Sequence, residues 1–126
     1  MTYFTPQTDP KLFSCGCGVC RPPFVTPTPR LLEVLNALRV QYGAPILVTS
    51  GPRCPAKNTA VGGADTSEHL TGEGADLWAP DGMIRYYLVR AAFAVGASRI
   101  EVTNKHIHIG VSETLPQHVL WPGVAR

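Results

Sequence analysis

The chain has 126 residues, 44% of them hydrophobic and 16% charged, which fits one globular domain with a modest core and excludes a disordered polymer. The net charge of +2 comes without a long run of Lys or Arg, so electrostatics give no case for nucleic acid as a partner. No apolar stretch is long enough to span a membrane, and the start MTYFTPQTDPKLF lacks the basic-then-apolar pattern of a signal peptide. The expectation is a product made in the cytosol, with work outside the membrane depending on lysis or a separate export route.

Residues 1–28, rich in Pro, Thr, Cys and Gly, predict an irregular arm laid on the domain. Thr28-Pro29 then has the form of an N-cap followed by Pro at the first helical position. Leu31, Leu32, Leu35 and Leu38 follow at helical spacing, and Gly43 supplies a stop. The run 45–50 (PILVTS) predicts a short buried strand. Residues 51–75 are mostly small or turn-forming and predict a long loop, which at that length is more often functional than accidental. Residues 76–79 predict a short strand. Asp81 is placed to cap a helix over 83–95 that Gly96 ends. Strands over 99–103 and 106–111, joined at Asn104-Lys105, predict a hairpin, and the tail LPQHVLWPGVAR is expected to be irregular. The order suits a single α+β domain over 1–126, with a short antiparallel sheet flanked by helices.

The chemistry begins at His106-Ile107-His108. On a strand both imidazoles point one way, while Ile107 and Ile109 point the other. The Ile pair suits the core and the His pair a cleft, because each buried ring nitrogen needs a partner. By itself the pair reads equally well as a polar sheet face or as metal ligands. In SEHLTGEGAD, the glycines at 72 and 74 allow the loop to fold back so that His69 and Asp76 converge. By spacing alone a Gly-rich turn with a capping Asp is the simpler reading. The combination favours a metal: His69, Asp76 and His108 form a two-His, one-carboxylate set that leaves a coordination position open, with His106 beside it as a base. Arg53 follows the buried strand and carries a fork suited to gripping a carboxylate.

The run SGPRCPAKNTAVGGADTSEHLTGEGADL with the later KHIHIG resembles the M15 zinc D-Ala-D-Ala peptidases, and specifically the short phage and prophage type of the carboxypeptidase branch. The leading segment YFTPQTDPKLFSCGCGVC resembles the start of those short proteins, so the similarity covers most of the chain. It implies a hedgehog/DD-peptidase-like fold and hydrolysis of peptide bonds in bacterial cell-wall stem peptides. It also implies one catalytic zinc on His69, Asp76 and His108. His106 takes the place of the catalytic His, Arg53 that of the substrate or oxyanion Arg, and Ser67 lines the site. Three features depart from the family pattern: Gly51-Pro52-Arg53 in place of Gly-Tyr-Arg, Gly74 where Ala is frequent, and GASRIEVTNKHIHIG without a Gly-Ile-Gly.

The expected function is therefore a zinc metallopeptidase acting on peptidoglycan stem peptides, in the first place a D-Ala-D-Ala carboxypeptidase, and a monomer. The alternatives are an endolysin-type L-Ala-D-Glu endopeptidase and a non-catalytic zinc-containing wall-binding module. A Cys-based zinc module for nucleic acid is disfavoured by the charge. If His106 is not the base, Glu68 and Glu73 are the nearest candidates. Cys15, Cys17, Cys20 and Cys54 are read as free thiols or late disulfides in preference to a second zinc, because the first spacing is one residue. In either state they would pin the arm near the Arg53 loop.

Overall fold

The structure is a computed structural model that describes residues 2–20 and 22–124. Met1 and Arg21 of the arm, and Ala125 and Arg126 of the tail, lie outside the described residues. In chain order the helices are α1 (Pro10–Phe13), α2 (Pro29–Tyr42), α3 (Pro55–Ala60) and α4 (Gly82–Ala94). The strands are β1 (Val48–Ser50), β2 (Gly74–Trp78), β3 (Arg99–Val102), β4 (His106–Gly110) and β5 (Val119–Pro122), and a 3-10 turn spans Glu68–Thr71.

The long helices begin where local chemistry starts them. The Thr28 side chain accepts from Leu31 N and Pro29 occupies the first turn, while the Asp81 carboxylate accepts from Ile84 N. Gly43 ends α2 in the left-handed region, with its N–H on the Arg39 carbonyl. Leu31, Val34, Leu35 and Leu38 form the buried stripe of α2, and Leu88, Ala91 and Ala92 that of α4.

The strands assemble in the order β1-β2-β4-β3-β5. In β2 and β4, paired antiparallel, Asp76 stands opposite His108 and Gly74 opposite Gly110. The β3–β4 hairpin turns at Asn104-Lys105 without glycine, because the Thr103 hydroxyl accepts from the N–H groups of Lys105 and His106 and donates to the His106 carbonyl. The period of two then sorts the sheet. Ala75, Leu77, Ile100, Ile107 and Ile109 are buried in one core cluster with the apolar stripes of α2 and α4. Asp76, Arg99, Glu101, His106, His108 and Trp121 line a cleft on the other side.

Four expectations are corrected. The sheet is mixed rather than antiparallel, because β5 pairs parallel to β3, with Glu101 opposite Trp121. That strand lies in the tail expected to be irregular; its Pro122 is tolerated because it ends an edge strand. The 51–75 loop contains α3, started by Cys54 and Pro55, and the 3-10 turn, started by Ser67. The arm contains α1, whose Leu12 is fully buried. Two strand boundaries also move: β1 is shorter than 45–50, and β2 starts at Gly74 because Gly74 and Ala75 pair with Gly110 and Ile109. The arm does reach the Arg53 loop, with the sulfurs of Cys15 and Cys17 3.7 and 3.6 Å from that of Cys54.

Candidate metal centre

Three elements bring His69, Asp76 and His108 together. Asp76 and His108 are direct cross-strand neighbours of β2 and β4, and such pairs hold their side chains close. His69 arrives from the 3-10 turn, which begins where the Ser67 hydroxyl accepts from His69 N and ends at Gly72 in the left-handed region. One potential ligand atom from each of the three lies within 4.8 Å of the others, and all three residues are buried.

The hydrogen bonds determine which nitrogens face the centre. His69 Nδ1 is 2.6 Å from the Gly51 carbonyl, which only accepts, so Nδ1 carries the proton. His108 Nε2 is 3.0 Å from a Glu68 carboxylate oxygen, so that nitrogen donates as well. The remaining nitrogens, His69 Nε2 and His108 Nδ1, lie 3.2 and 3.0 Å from the same atom, Asp76 Oδ1. Two imidazole lone pairs converging on one carboxylate oxygen repel unless positive charge sits among them, either protons on the rings or a metal cation. Each outward nitrogen bonded to a fixed acceptor is the arrangement that orients metal-ligating histidines. This donor set of two imidazoles and one carboxylate fits zinc.

The electrostatics reflect the same convergence in the metal-free protein. Burial works against the charged Asp76, yet hydrogen bonds from His108 and His69 and their charges hold its carboxyl well below the usual range. Burial likewise disfavours the His108 cation, but Asp76 and Glu68 outweigh it and raise its pKa to about 9. For Glu68, burial is again overcome, by the His108 hydrogen bond, the Ser112 N–H and the charges of His108 and Arg99, so its pKa is lowered.

Arg53 and His106 meet the other oxygen of Asp76. Arg53 Nη2 is 3.6 Å and His106 Nε2 3.7 Å from Asp76 Oδ2. Arg53 is held by the Ser50 hydroxyl at 3.3 Å and the Asn58 amide oxygen at 3.2 Å, while its backbone N–H donates to the His69 carbonyl. Both side chains, with Ser67, line the cleft that contains the triad, a cavity of about 340 Å³. All six residues singled out from the sequence thus surround one cleft, and the His106–His108 pair faces it while Ile107 and Ile109 lie in the core.

Sequence reasoning missed most of the support. Glu68 was weighed only as a reserve base, but it is buried and tied to His108 Nε2 and to Ser112 N at 2.9 Å. Arg99 was not singled out. Its Nε lies 3.1 Å from Glu68 Oε1, off line for a hydrogen bond, and its guanidinium stacks 5.0 Å from the Trp121 ring. The available signal was alternation: Arg99 and Glu101 flank the core residue Ile100 and therefore share a face. Space for Glu68 and His108 comes from two cross-strand glycines. A side chain at Gly74 would reach His108 Cε1 at 2.6 Å, and one at Gly110 would collide with the Glu68 carboxylate.

None of the curated proteins compared with the chain matches it. The family model described as Peptidase M15 matches residues 6–110, which includes most of the arm, the triad, Arg53 and His106. With a match over most of its length and a two-histidine, one-carboxylate centre formed by its sheet and the adjoining 3-10 turn, the chain belongs to the Peptidase M15 family.

Proposed function

We propose that the protein is a zinc-dependent D-Ala-D-Ala carboxypeptidase acting on bacterial cell-wall stem peptides. The observation that carries the reading is the convergence of His69 Nε2 and His108 Nδ1 on Asp76 Oδ1, with Arg53 and His106 on its second oxygen. In this reading His69, Asp76 and His108 hold the ion. A zinc ion there supplies Lewis acidity, polarising the scissile carbonyl and acidifying water near neutral pH.

The chain's own residues do the rest. Glu68 and the Gly51 carbonyl fix the two ligand rings. His106 holds or releases a proton at Nε2, taking it from the attacking water and passing it to the leaving amine, or donating to the developing oxyanion. Arg53 binds the terminal carboxylate of the substrate, a task matched to its planar fork. Ser67 lines the cleft and starts the turn that carries His69. Access to the wall would follow lysis or export by another route.

The test incubates zinc-loaded protein with stem peptides ending in D-Ala-D-Ala, with the same peptides amidated at the C-terminus, and with peptides carrying an internal L-Ala-D-Glu bond. Release of D-Ala from the free acid, with much slower cleavage of the amide, is the expected result. Cleavage only at L-Ala-D-Glu would make the protein an endopeptidase. Zinc bound without cleavage of any of these peptides would make it a binding module.

A further inference from the structure

Away from the cleft, four cysteines from two distant segments meet. Cys15, Cys17 and Cys20 come from the arm, and their sulfurs lie within 4.8 Å of one another. Cys54 comes from the loop after β1, and its sulfur is 3.7 Å from Cys15 Sγ and 3.6 Å from Cys17 Sγ. We propose that Cys15, Cys17, Cys20 and Cys54 form a second, structural metal site that takes zinc as a tetrathiolate and clamps the N-terminal arm to the loop carrying Arg53.

Three observations carry this. The first is spacing. Four thiolates at about 2.3 Å around a tetrahedral zinc stand roughly 3.8 Å apart, close to the contacts of Cys54 with Cys15 and Cys17. Disulfide-bonded sulfurs are about 2.05 Å apart, and here Cys54 sits almost equally far from two candidate partners. The second is the set of backbone donors. Cys54 N donates to Cys15 Sγ at 3.3 Å, Val19 N to Cys17 Sγ and Lys57 N to Cys54 Sγ, both at 3.5 Å. A thiol is a weak acceptor, whereas a metal-bound thiolate is charged, so N–H groups aimed at three sulfurs suit ligands. Lys57 Nζ, bonded to the Cys15 carbonyl at 3.1 Å, brings positive charge to what would be a dianionic centre. The third is the chain path. Gly16 and Gly18 have φ of +70° and +76° with open space around them, so backbone conformation selects glycine there. Cys17-Gly18-Val19-Cys20 has the two-residue spacing of zinc thiolate pairs, and the turn at Gly16 adds Cys15 despite its one-residue spacing.

The clamp bears on the cleft through short links. Cys54 directly follows Arg53 and caps α3, which contains the Asn58 that holds Arg53 Nη1. On the other side, α1 rests on Gly51, where a side chain would strike the Lys11 carbonyl at 2.6 Å, and the Gly51 carbonyl holds His69. A metal that ties down the arm therefore steadies both anchors. This role is independent of the catalytic reading.

The full chain, produced with zinc and kept reduced, is assayed for metal by elemental analysis, then reconstituted with Co²⁺ for absorption spectroscopy. The expected result is two ions per chain, with thiolate-to-cobalt charge-transfer bands and the intense visible bands of tetrahedral cobalt. A His69→Ala/His108→Ala variant should retain one ion and the thiolate bands. A Cys17→Ser/Cys20→Ser variant should lose them, and zinc should shield all four thiols from alkylation until a chelator releases it. The wild-type spectrum decides the matter even if a variant fails to fold. One ion per chain without thiolate bands, or recovery of the cysteines as disulfides from protein purified under reducing conditions, overturns the proposal.

Discussion

Glu68→Gln separates a positioning carboxylate from its charge while keeping its shape. In the structure Glu68 is 4% exposed, and its two oxygens serve His108 Nε2 at 3.0 Å, Ser112 N at 2.9 Å and the Arg99 ion pair at 3.1 Å. The amide keeps one acceptor but loses the anion that strengthens the hold on His108 and balances Arg99. Loss of an outer carboxylate partner costs metal affinity about 10–100-fold, equivalent to roughly 1.4–2.7 kcal/mol. Removing one partner of a buried ion pair is expected to cost roughly 3–5 kcal/mol of folding stability. Zinc affinity is measured by competition with a chromophoric chelator, and metal-free stability by urea unfolding. Glu73→Gln serves as the control, since Glu73 accepts from the Thr71 hydroxyl at the surface and touches neither His108 nor Arg99. If Glu68→Gln binds zinc within twofold of wild type and unfolds at the same urea concentration, the carboxylate does not orient His108 and the argument fails.

Other outcomes follow from the same geometry. Gly74→Ala places a methyl 2.6 Å from His108 Cε1 and 2.9 Å from Glu68 Cβ, so it should lower stability by about 1–3 kcal/mol and weaken zinc binding, both seen by calorimetry. His106→Ala should keep stoichiometric zinc and lose ~10²–10⁴-fold in kcat, as elemental analysis and peptide turnover would show; zinc loss would instead make His106 a ligand. In the metal-free protein His108 is raised to about 9, so its stabilising contribution is full below its ordinary pKa near 6.5 and is lost as pH rises through about 9. Asp76 and Glu68 are lowered, so theirs is present above the ordinary carboxylate range and is lost as pH falls through the depressed values. Metal entering at His108 displaces its proton, so zinc affinity should climb by up to ~tenfold per pH unit from 6.5 towards 9 in chelator competition, and a flat profile would contradict the raised pKa.

What the sequence disclosed was whatever one local rule decides. Thr28-Pro29 and Asp81 are caps, and a cap needs only its own first turn, so both caps stand where they were read, α2 beginning at Pro29 and α4 at Gly82, one residue before the expected 83. His106 and His108 share a face because the strand period is two, and that face proved to be the cleft. Long-range pairing stayed hidden. Nothing in Val119–Pro122 signals a parallel partner, and its terminal proline argues against a strand unless the edge position is known. Glu68 was hidden for a related reason: its meaning depends on Arg99 and Ser112, which lie far along the chain and reach it only after β4 is placed. The cysteines show the same limit. Their spacing in the sequence sets neither the turn at Gly16 nor the 3.7 and 3.6 Å separations of the Cys54 sulfur from those of Cys15 and Cys17.

Asp76 links the buried framework to the cleft through the division of its two oxygens. Oδ1 meets the two imidazole nitrogens that the Gly51 carbonyl and Glu68 have aimed inward, while Oδ2 meets Arg53 and His106. A cation drawn to Oδ1 and the imidazoles would leave Oδ2 facing the two groups assigned to substrate and proton transfer. The position of Asp76 is fixed from below by Leu77 and Ala75, both fully buried, and from the side by its pairing with His108. A shift of β2 by one residue would turn Asp76 into the core and Leu77 into the cleft. Such a shift is resisted by apolar burial of about 1.5–3 kcal/mol for Leu77, and similarly for Ile107 and Ile109 opposite. The precision of the centre therefore comes from the apolar face beneath it, since the same alternation that buries the aliphatic residues sets the carboxylate against the histidine.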